Sequence, residues 1–506
     1  MGRPIADLFY KNVERFPDKE AIWCDGETKT YRELGDMVSR YSNFLLENGI
    51  VCGDHIGIPM LNSINSVALI MSANNIGVGL VPINPSMAPA AINKVFDSAD
   101  VKHLIAHKAF LRHMKGQLNI SGKTICIDGD YPDALSFSES KNCSADRPEC
   151  TDVTGDETLV LIMTSGSTGD PKPIDLTQNC KALRAQIHFQ LYGLNENDVI
   201  MAGTPLYHTL AVRLVMLPLQ LGGTAVLLPR FTPQMWMECV ENKKVTFTIA
   251  VSSQLAQISE LIDKGETPDL SSLRCIVSSS AWLEPIVKEK LIEKMNCEFH
   301  EIYGTSETAS PTDIDFRDAA TKTKSVGKCV PGAKIRIRRE DGSEADVGEI
   351  GEITTDTVQI FKGYYNRPEL TQAAFDGTYF RTGDLGYVDE DGFLYFSGRL
   401  KEIIVTGGIN VYPQDIETML LEQPKIRECA AFAYQDDKLG EVVAVVAAPK
   451  NGETITEREI AVACARNLAD FQQPRKIFVV DEIPKNAMGK ISRINLDAFF
   501  CNKNVR

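Results

Sequence analysis

LVLIMTSGSTGDPK, Leu159 to Lys172, passes from an unbroken apolar run into hydroxyl residues and glycines. A short apolar run ended by a turn signal suits a strand buried on both faces of a parallel sheet. The segment beyond the strand suits phosphate. Thr164, Ser165, Gly166, Ser167, Thr168 and Gly169 offer backbone amides and hydroxyls that wrap polyphosphate oxygens, and Lys172 adds a movable positive charge. It is not a Walker loop, because Asp170 and Pro171 separate Gly169 from Lys172 and no Gly-Lys-Ser/Thr follows. Thr177 is placed to cap a helix beyond it. Taken alone, the segment reads equally well as an ordinary flexible turn, since the same residues dominate loops.

Outward from this point the texture holds. Thr246 to Val251 is another short apolar strand, and Tyr31 to Asn48 spaces Leu34, Met37, Val38, Tyr41, Leu45 and Leu46 as a helix does. Strands alternating with helices predict an α/β fold whose large, multi-sheet N-terminal domain covers residues 1–400. Ser136 to Asp156, polar and aperiodic, reads as a surface connection inside it. Between Gly377 and Val405, aromatic-rich strands flank a DEDG turn, Asp389 to Gly392, which signals a hairpin. Residues 401–506 then mix strands (Val442 to Ala448, Lys476 to Val480) with helices (Gln414 to Leu421, Glu457 to Leu468). They predict a small α+β C-terminal lid.

A chain of 506 residues, 43% hydrophobic and 24% charged, is long enough for at least two well-filled cores. No apolar run reaches the roughly 20 residues of a membrane helix. The start, MGRPIADLFYKNVERFPDKE, lacks the apolar core of a signal peptide, so a cytoplasmic protein is expected. Thirteen cysteines with no Cys-x-x-Cys pair suit reduced thiols better than a disulfide framework or a zinc site. A net charge of −15 disfavours nucleic acid, and any anionic ligand must meet a local positive site.

Three more segments carry chemistry. EIYGTSET, Glu301 to Thr308, again breaks an apolar strand at a glycine into hydroxyl residues, now with the carboxylate of Glu307. Magnesium on a nucleotide takes only one or two protein carboxylates, so Glu307 suffices as its ligand. In YFRTGDLGYVDEDGFLYFSGRLKEIIVTGG, Tyr379 to Gly408, Asp384 follows a Thr-Gly break and is placed to accept ribose hydroxyls. In PKNAMGKISR, Pro484 to Arg493, Lys490 stands behind a glycine. Singly, each is also what a solvated surface turn looks like.

In this order and spacing the four motifs resemble the adenylate-forming superfamily of acyl-CoA synthetases, peptide-synthetase adenylation domains and luciferases, over about Leu8 to Arg493. The resemblance is closest to the acyl-CoA synthetases. It implies an AMP-forming acid–thiol ligase that takes ATP, magnesium and coenzyme A, converts a small carboxylic acid to its acyl adenylate and passes the acyl group to the thiol. It assigns the Thr164 to Lys172 loop to the β- and γ-phosphates. Tyr303, with Gly304 after it, would stack on adenine, Thr305 and Glu307 would meet the α-phosphate and magnesium, and Asp384 and Arg399 the ribose. Lys490 would bridge the substrate carboxylate and the α-phosphate. Lys401 would be the hinge of the mobile lid, and Gly407 and Gly408 would line the pantetheine tunnel. His208 matches the position lining the acyl and thiol channel.

The chain also departs from the pattern. SSSAW, Ser278 to Trp282, stands where relatives usually carry Gly-Gly-Ala-Pro beside adenine, so Ser280 and Ala281 border a pocket that two serines and Trp282 reshape or that Trp282 leaves for the core. His103, His107 and His113 read as an exposed helix face, and Arg213 as either a surface or structural charge or the partner of a diacid's second carboxylate. Two other functions stay open: a stand-alone adenylation enzyme loading a carrier protein, and a catalytically silent nucleotide-binding regulator. A homodimer is compatible with the chain, and the acid is not named by it.

Overall fold

The structure, a computed structural model, describes residues 3–165, 171–265, 268–281, 283–406, 409–436, 440–485, 491 and 496–501. The chain divides into two compact units, Met1–Lys334 with Asp356–Phe380, and Ile335–Thr355 with Arg381–Arg506.

In the first unit, short apolar strands assemble two mostly parallel sheets, as the alternation of strands and helices predicts. One has nine strands. Its six inner members, Glu298–Tyr303, Cys275–Ser279, Phe247–Val251, Val199–Ala202, Thr224–Leu227 and Glu20–Cys24 in spatial order, are all parallel, and antiparallel strands close both edges. The second sheet places Thr158–Ser165 beside Gly79–Ile83, whose GLVPI is buried throughout. Helices are set by their caps. Thr30 and Glu33 form a capping box at the start of Tyr31–Glu47, within a residue of the predicted span. Ile64–Ile76 is buried at every position but Asn65, and Gly77, at φ 72°, ends it in the left-handed conformation that glycine adopts without penalty.

Two expectations are borne out in more detail, and one needs correction. Pro171–Thr177 pairs antiparallel with Thr158–Ser165, Thr164 opposite Lys172. The expected helix follows at Gln178, where Thr177 accepts from the Cys180 amide as its cap. The histidines share no helix face. His103 lies buried in the strand Val101–Ala106 and accepts from the Lys123 amide at 3.0 Å, while His107 precedes and His113 ends the short helix Lys108–His113. Their spacing of four crosses a strand-to-helix junction, so periodicity there means nothing. The polar stretch after Ser136 is the mostly exposed connection expected, anchored at its start where Phe137 packs edge-on against Tyr41 and Phe44 at 4.3 and 5.4 Å.

In the second unit, the DEDG turn does close a hairpin between Tyr379–Val388 and Leu394–Arg399, with Gly392 at φ 82° and Asp389 accepting from the Asp391 and Phe393 amides. Ile426–Asp436 and Gly440–Pro449 form the spine of a smaller sheet. Alternation sorts its side chains. Val443, Val445 and Ala447 meet Ile416, Leu420, Ile460 and Cys464 on one face, and Ala444, Val446 and Ala448 meet Ile483, Leu496 and Phe500 on the other.

Candidate functional site

Because the inner strands of the nine-stranded sheet are parallel, their carboxyl ends open on one edge, where open α/β sheets bind ligands. Val199–Ala202 leads there to His208, Cys275–Ser279 to Ser280 and Ala281, and Glu298–Tyr303 to Gly304, Thr305 and Glu307. Topology thus gathers residues that the sequence spreads over about a hundred positions.

These loops are pinned by polar side chains from neighbouring elements, which sequence reasoning missed. Arg184, 2% exposed, donates from Nε to the Gln359 carbonyl, from Nη1 to that of Ser306 and from Nη2 to that of Glu307, at 2.8, 3.1 and 2.7 Å. Asn62 donates to the carbonyls of Thr204 and Leu228 and accepts from the Leu206 amide, fixing the approach to His208. Gln254 donates to the Gly203 carbonyl, and Ser252 to that of Ala281. The one available signal for Arg184 was its place with Gln178, Lys181 and His188 on the buried side of their helix, where charge is unusual.

Tyr303 is buried, and Thr305 and Thr308 bond each other reciprocally through hydroxyl and amide. Gly304 is required here by packing. A Cβ on it would lie 1.8 Å from the Ala309 carbonyl oxygen, and backbone cannot yield as a side-chain tip does. Gly304→Ala is therefore expected to weaken ATP binding about 10- to 100-fold, the equivalent of about 1–3 kcal/mol, in a calorimetric titration. Unchanged affinity would show that the turn is not part of the nucleotide site.

The carboxylate of Glu307 and the glycine-serine hairpin meet at one phenol. Tyr364 donates from its hydroxyl to Glu307 Oε1 at 2.9 Å, and Lys172 Nζ lies 5.8 Å from the centre of its ring. Burial and the adjacent carboxylate push the Tyr364 phenol well above its usual pKa, so it stays a donor. Gly363–Tyr364 pairs with the same strand, Pro171–Thr177, that leaves the hairpin. Thr164 and Ser165 are described only as backbone; Gly166, Ser167, Thr168 and Gly169 lie outside the described residues.

His208 precedes the helix Thr209–Leu221 and packs edge-on against Tyr207 at 4.5 Å. Arg213, on that helix, is partly buried, with Nη1 at 3.3 Å from His188 Nε2. His188 is held near pKa 3 by burial and then by Arg213, so it is neutral; Nδ1 donates to the Arg184 carbonyl and Nε2 accepts from Arg213. Arg213 is a structural charge, not a plain surface one: Lys181, Arg184 and Gln220 line a small cavity with it.

Ser280 and Ala281 are exposed, and Ser280 sits at φ 77°. That is the left-handed region, which costs a residue with a Cβ about 1–2 kcal/mol and glycine far less. The serine thus keeps a backbone shape that suits glycine. Ser280→Gly is expected to raise the thermal midpoint by a degree or two, seen in a calorimetric scan; a lower midpoint would mean that the serine hydroxyl holds the loop. Trp282 lies outside the described residues.

The remaining residues belong to the second unit. Asp384 is 3% exposed and faces Arg399 across the hairpin, Arg399 Nε to Asp384 Oδ1 at 3.1 Å. Lys401 is exposed in the short 3₁₀ turn Leu400–Glu402 between the sheet strand ending at Arg399 and the strand Ile404–Thr406. Gly407, Gly408 and Lys490 lie outside the described residues.

Residues 9–365 match the AMP-binding enzyme family, and residues 415–490 match the AMP-binding enzyme C-terminal domain. The probable CoA ligase CCL9 of Humulus lupulus is 31% identical over 97% of this chain and 95% of its own length. ATP-bound MatB from Rhodopseudomonas palustris has a similar structure, with a TM-score of 0.88 at 25% identity and 99% of both chains covered. O-succinylbenzoate CoA synthetase (MenE) from Bacillus subtilis, in complex with the acyl-adenylate intermediate OSB-AMP, gives 0.85 at 26% identity and 97% of both chains.

Proposed function

This chain belongs to the AMP-binding enzyme family, and we propose that it is an ATP-dependent carboxylate–CoA ligase working through an acyl adenylate. The observation that carries the reading is the Tyr364 junction, which ties Lys172 of the glycine-serine hairpin to the Glu307 carboxylate. A phosphate-binding hairpin and a lone carboxylate held together are what a magnesium nucleotide needs. Glu307 fits magnesium: one of its oxygens takes the Tyr364 bond and the other accepts no described hydrogen bond, leaving it for the ion. When bound, magnesium would neutralise phosphate charge.

The chain's own groups do the rest in this reading. Thr305 donates its hydroxyl to the α-phosphate, Tyr303 and the Ser280–Ala281 backbone flank the base, and Asp384 accepts from the ribose beside Arg399. His208 lines the acid channel. Lys401 as hinge, with Gly407–Gly408 along the thiol path, is supported by the exposed turn Leu400–Glu402 between strands of two sheets, and sets the proposed boundary at residue 400 beyond the Phe380–Arg381 division of the compact units. The similarity to named CoA ligases supports coenzyme A as acceptor.

The test is mass detection of acyl-AMP and acyl-CoA after incubation with ATP, magnesium, coenzyme A and a panel of aliphatic, aromatic and dicarboxylic acids. Acyl-CoA is the expected product and ranks the acids. Acyl-AMP alone would replace coenzyme A with a carrier protein as acceptor, and neither product from any acid would leave a nucleotide-binding regulator.

A further inference from the structure

At the amino ends of the same strands, away from the loops that carry Tyr303 and Ser280, the sheet gathers a second set of reactive groups. Cys275 pairs with Glu298 across parallel strands, and His300 faces Asp315 across the antiparallel pair. One donor atom each of Cys275, Glu298 and His300 lie within 4.8 Å of one another. His300 Nε2 is 3.9 Å from Glu298 Oε2 and 3.8 Å from Asp315 Oδ2.

His300 is what makes this more than an acidic patch. Its side chain is 6% exposed and Nε2 is sealed from solvent with no hydrogen-bond partner, aimed between two carboxylates and a thiol. Its other nitrogen, Nδ1, bonds Asp313 Oδ2 at 2.9 Å, and Asp313 Oδ1 accepts from the Tyr192 hydroxyl at 2.9 Å. If Nε2 carries a proton, both carboxylates are too far for a hydrogen bond; if it does not, a lone pair faces anions inside the protein. One cation bound among them resolves both. A carboxylate behind the imidazole is the usual outer support of a metal-bound histidine. Charge points the same way, because among the described residues one guanidinium, Arg317, is bonded to these carboxylates, at Glu298 Oε1 and both oxygens of Asp315, while Arg274, which also acts on Glu298, is bonded to Asp198.

The geometry points to a divalent transition-metal site of the zinc type on Cys275, Glu298 and His300, with Asp315 Oδ2, here bonded to Arg317, as the nearest fourth ligand. Two nitrogen or oxygen ligands on tetrahedral zinc stand about 3.3 Å apart at bond lengths of about 2.0–2.1 Å. The 3.9 Å gap between His300 and Glu298 therefore closes with shifts of a few tenths of an ångström per side chain, while Asp315, 3.8 Å from His300, must also turn an oxygen from Arg317. Thiolate and imidazole select zinc or cobalt over magnesium. Such an ion would pin three strands at the end opposite the nucleotide loops, a structural role. The absence of a Cys-x-x-Cys pair says nothing against it, since the ligands come from three strands brought together by pairing.

Cobalt(II) is the probe. Titrated into chelator-stripped protein without nucleotide, it is expected to bind in one equivalent with thiolate-to-cobalt charge-transfer absorption. Cys275→Ser should lose that band, His300→Gln should weaken cobalt binding at least a hundredfold, and Asp313→Asn about 10- to 100-fold. Circular dichroism identifies any variant that fails to fold, and Glu307→Gln, which leaves this sheet untouched, should keep the signal. Binding without charge transfer, or equal affinity in folded His300→Gln, would overturn the site. A signal lost in Glu307→Gln would overturn it as well, by moving the ion to the nucleotide loop.

Discussion

Lys490→Ala is expected to slow formation of the acyl adenylate about a thousandfold while thioester formation from a supplied acyl adenylate keeps its rate. As the substrate carboxylate closes on the α-phosphate, negative charge accumulates on oxygens that a protein with a net charge of −15 cannot neutralise from a distance. One ammonium at about 4 Å and an effective dielectric constant of about 20 contributes on the order of 4 kcal/mol, which is about a thousandfold in rate. Lys490 is outside the described residues, so the expectation rests on its place in PKNAMGKISR and on this electrostatic demand. The second half-reaction expels AMP and develops no such charge between carboxylate and phosphate. Two assays decide: diphosphate release from ATP and acid, and acyl-CoA release from synthetic acyl adenylate. If both fall equally, Lys490 supports the fold or both steps, and the lid does not exchange it between them.

Local features were the legible ones in this chain. Helix Tyr31–Glu47 declared itself through Thr30, Glu33 and its apolar spacing, and the hairpin at Asp389 to Gly392 through turn chemistry. The glycine-bearing loops stood out because their hydroxyl and small residues lie close together in sequence. The groups that hold those loops were not. Arg184 reaches Ser306, Glu307 and Gln359, more than a hundred residues away, and nothing near it in the chain hints at that. Asn62 and Tyr364 act across similar or shorter long-range separations. His103 shows the converse, a spacing that looked like a helix face and belonged to a strand. Ser280 shows a third case: the change from glycine was visible, but not that the backbone there would keep a left-handed turn.

Arg184→Met is expected to lower both stability and the affinity for magnesium-bound ATP. The guanidinium is buried without a carboxylate bonded to it and gives its three bonds to carbonyl oxygens, two of them in the loop that carries Glu307. Burial holds its pKa below the usual arginine value, and the Cys180 thiol and then Glu307 oppose that fall. Methionine fills much of the same volume but leaves Gln359 and Ser306 carbonyls without this donor, while Glu307 retains the Phe361 amide at 2.8 Å. Orphaning such groups costs about 3–5 kcal/mol in all, enough to lower the melting midpoint by several degrees. Stability alone would not separate a loop anchor from any buried residue. The discriminating readout is the magnesium concentration for half-maximal rate, taken well below the melting midpoint, which should rise several-fold because the Glu307 backbone is no longer held. Arg184→Lys retains a charge but has a single donor head, and it should fail to restore the magnesium dependence, because three carbonyls around a planar fork cannot be met by one ammonium. A normal magnesium dependence in both variants would confine Arg184 to the core and take Glu307 positioning away from it.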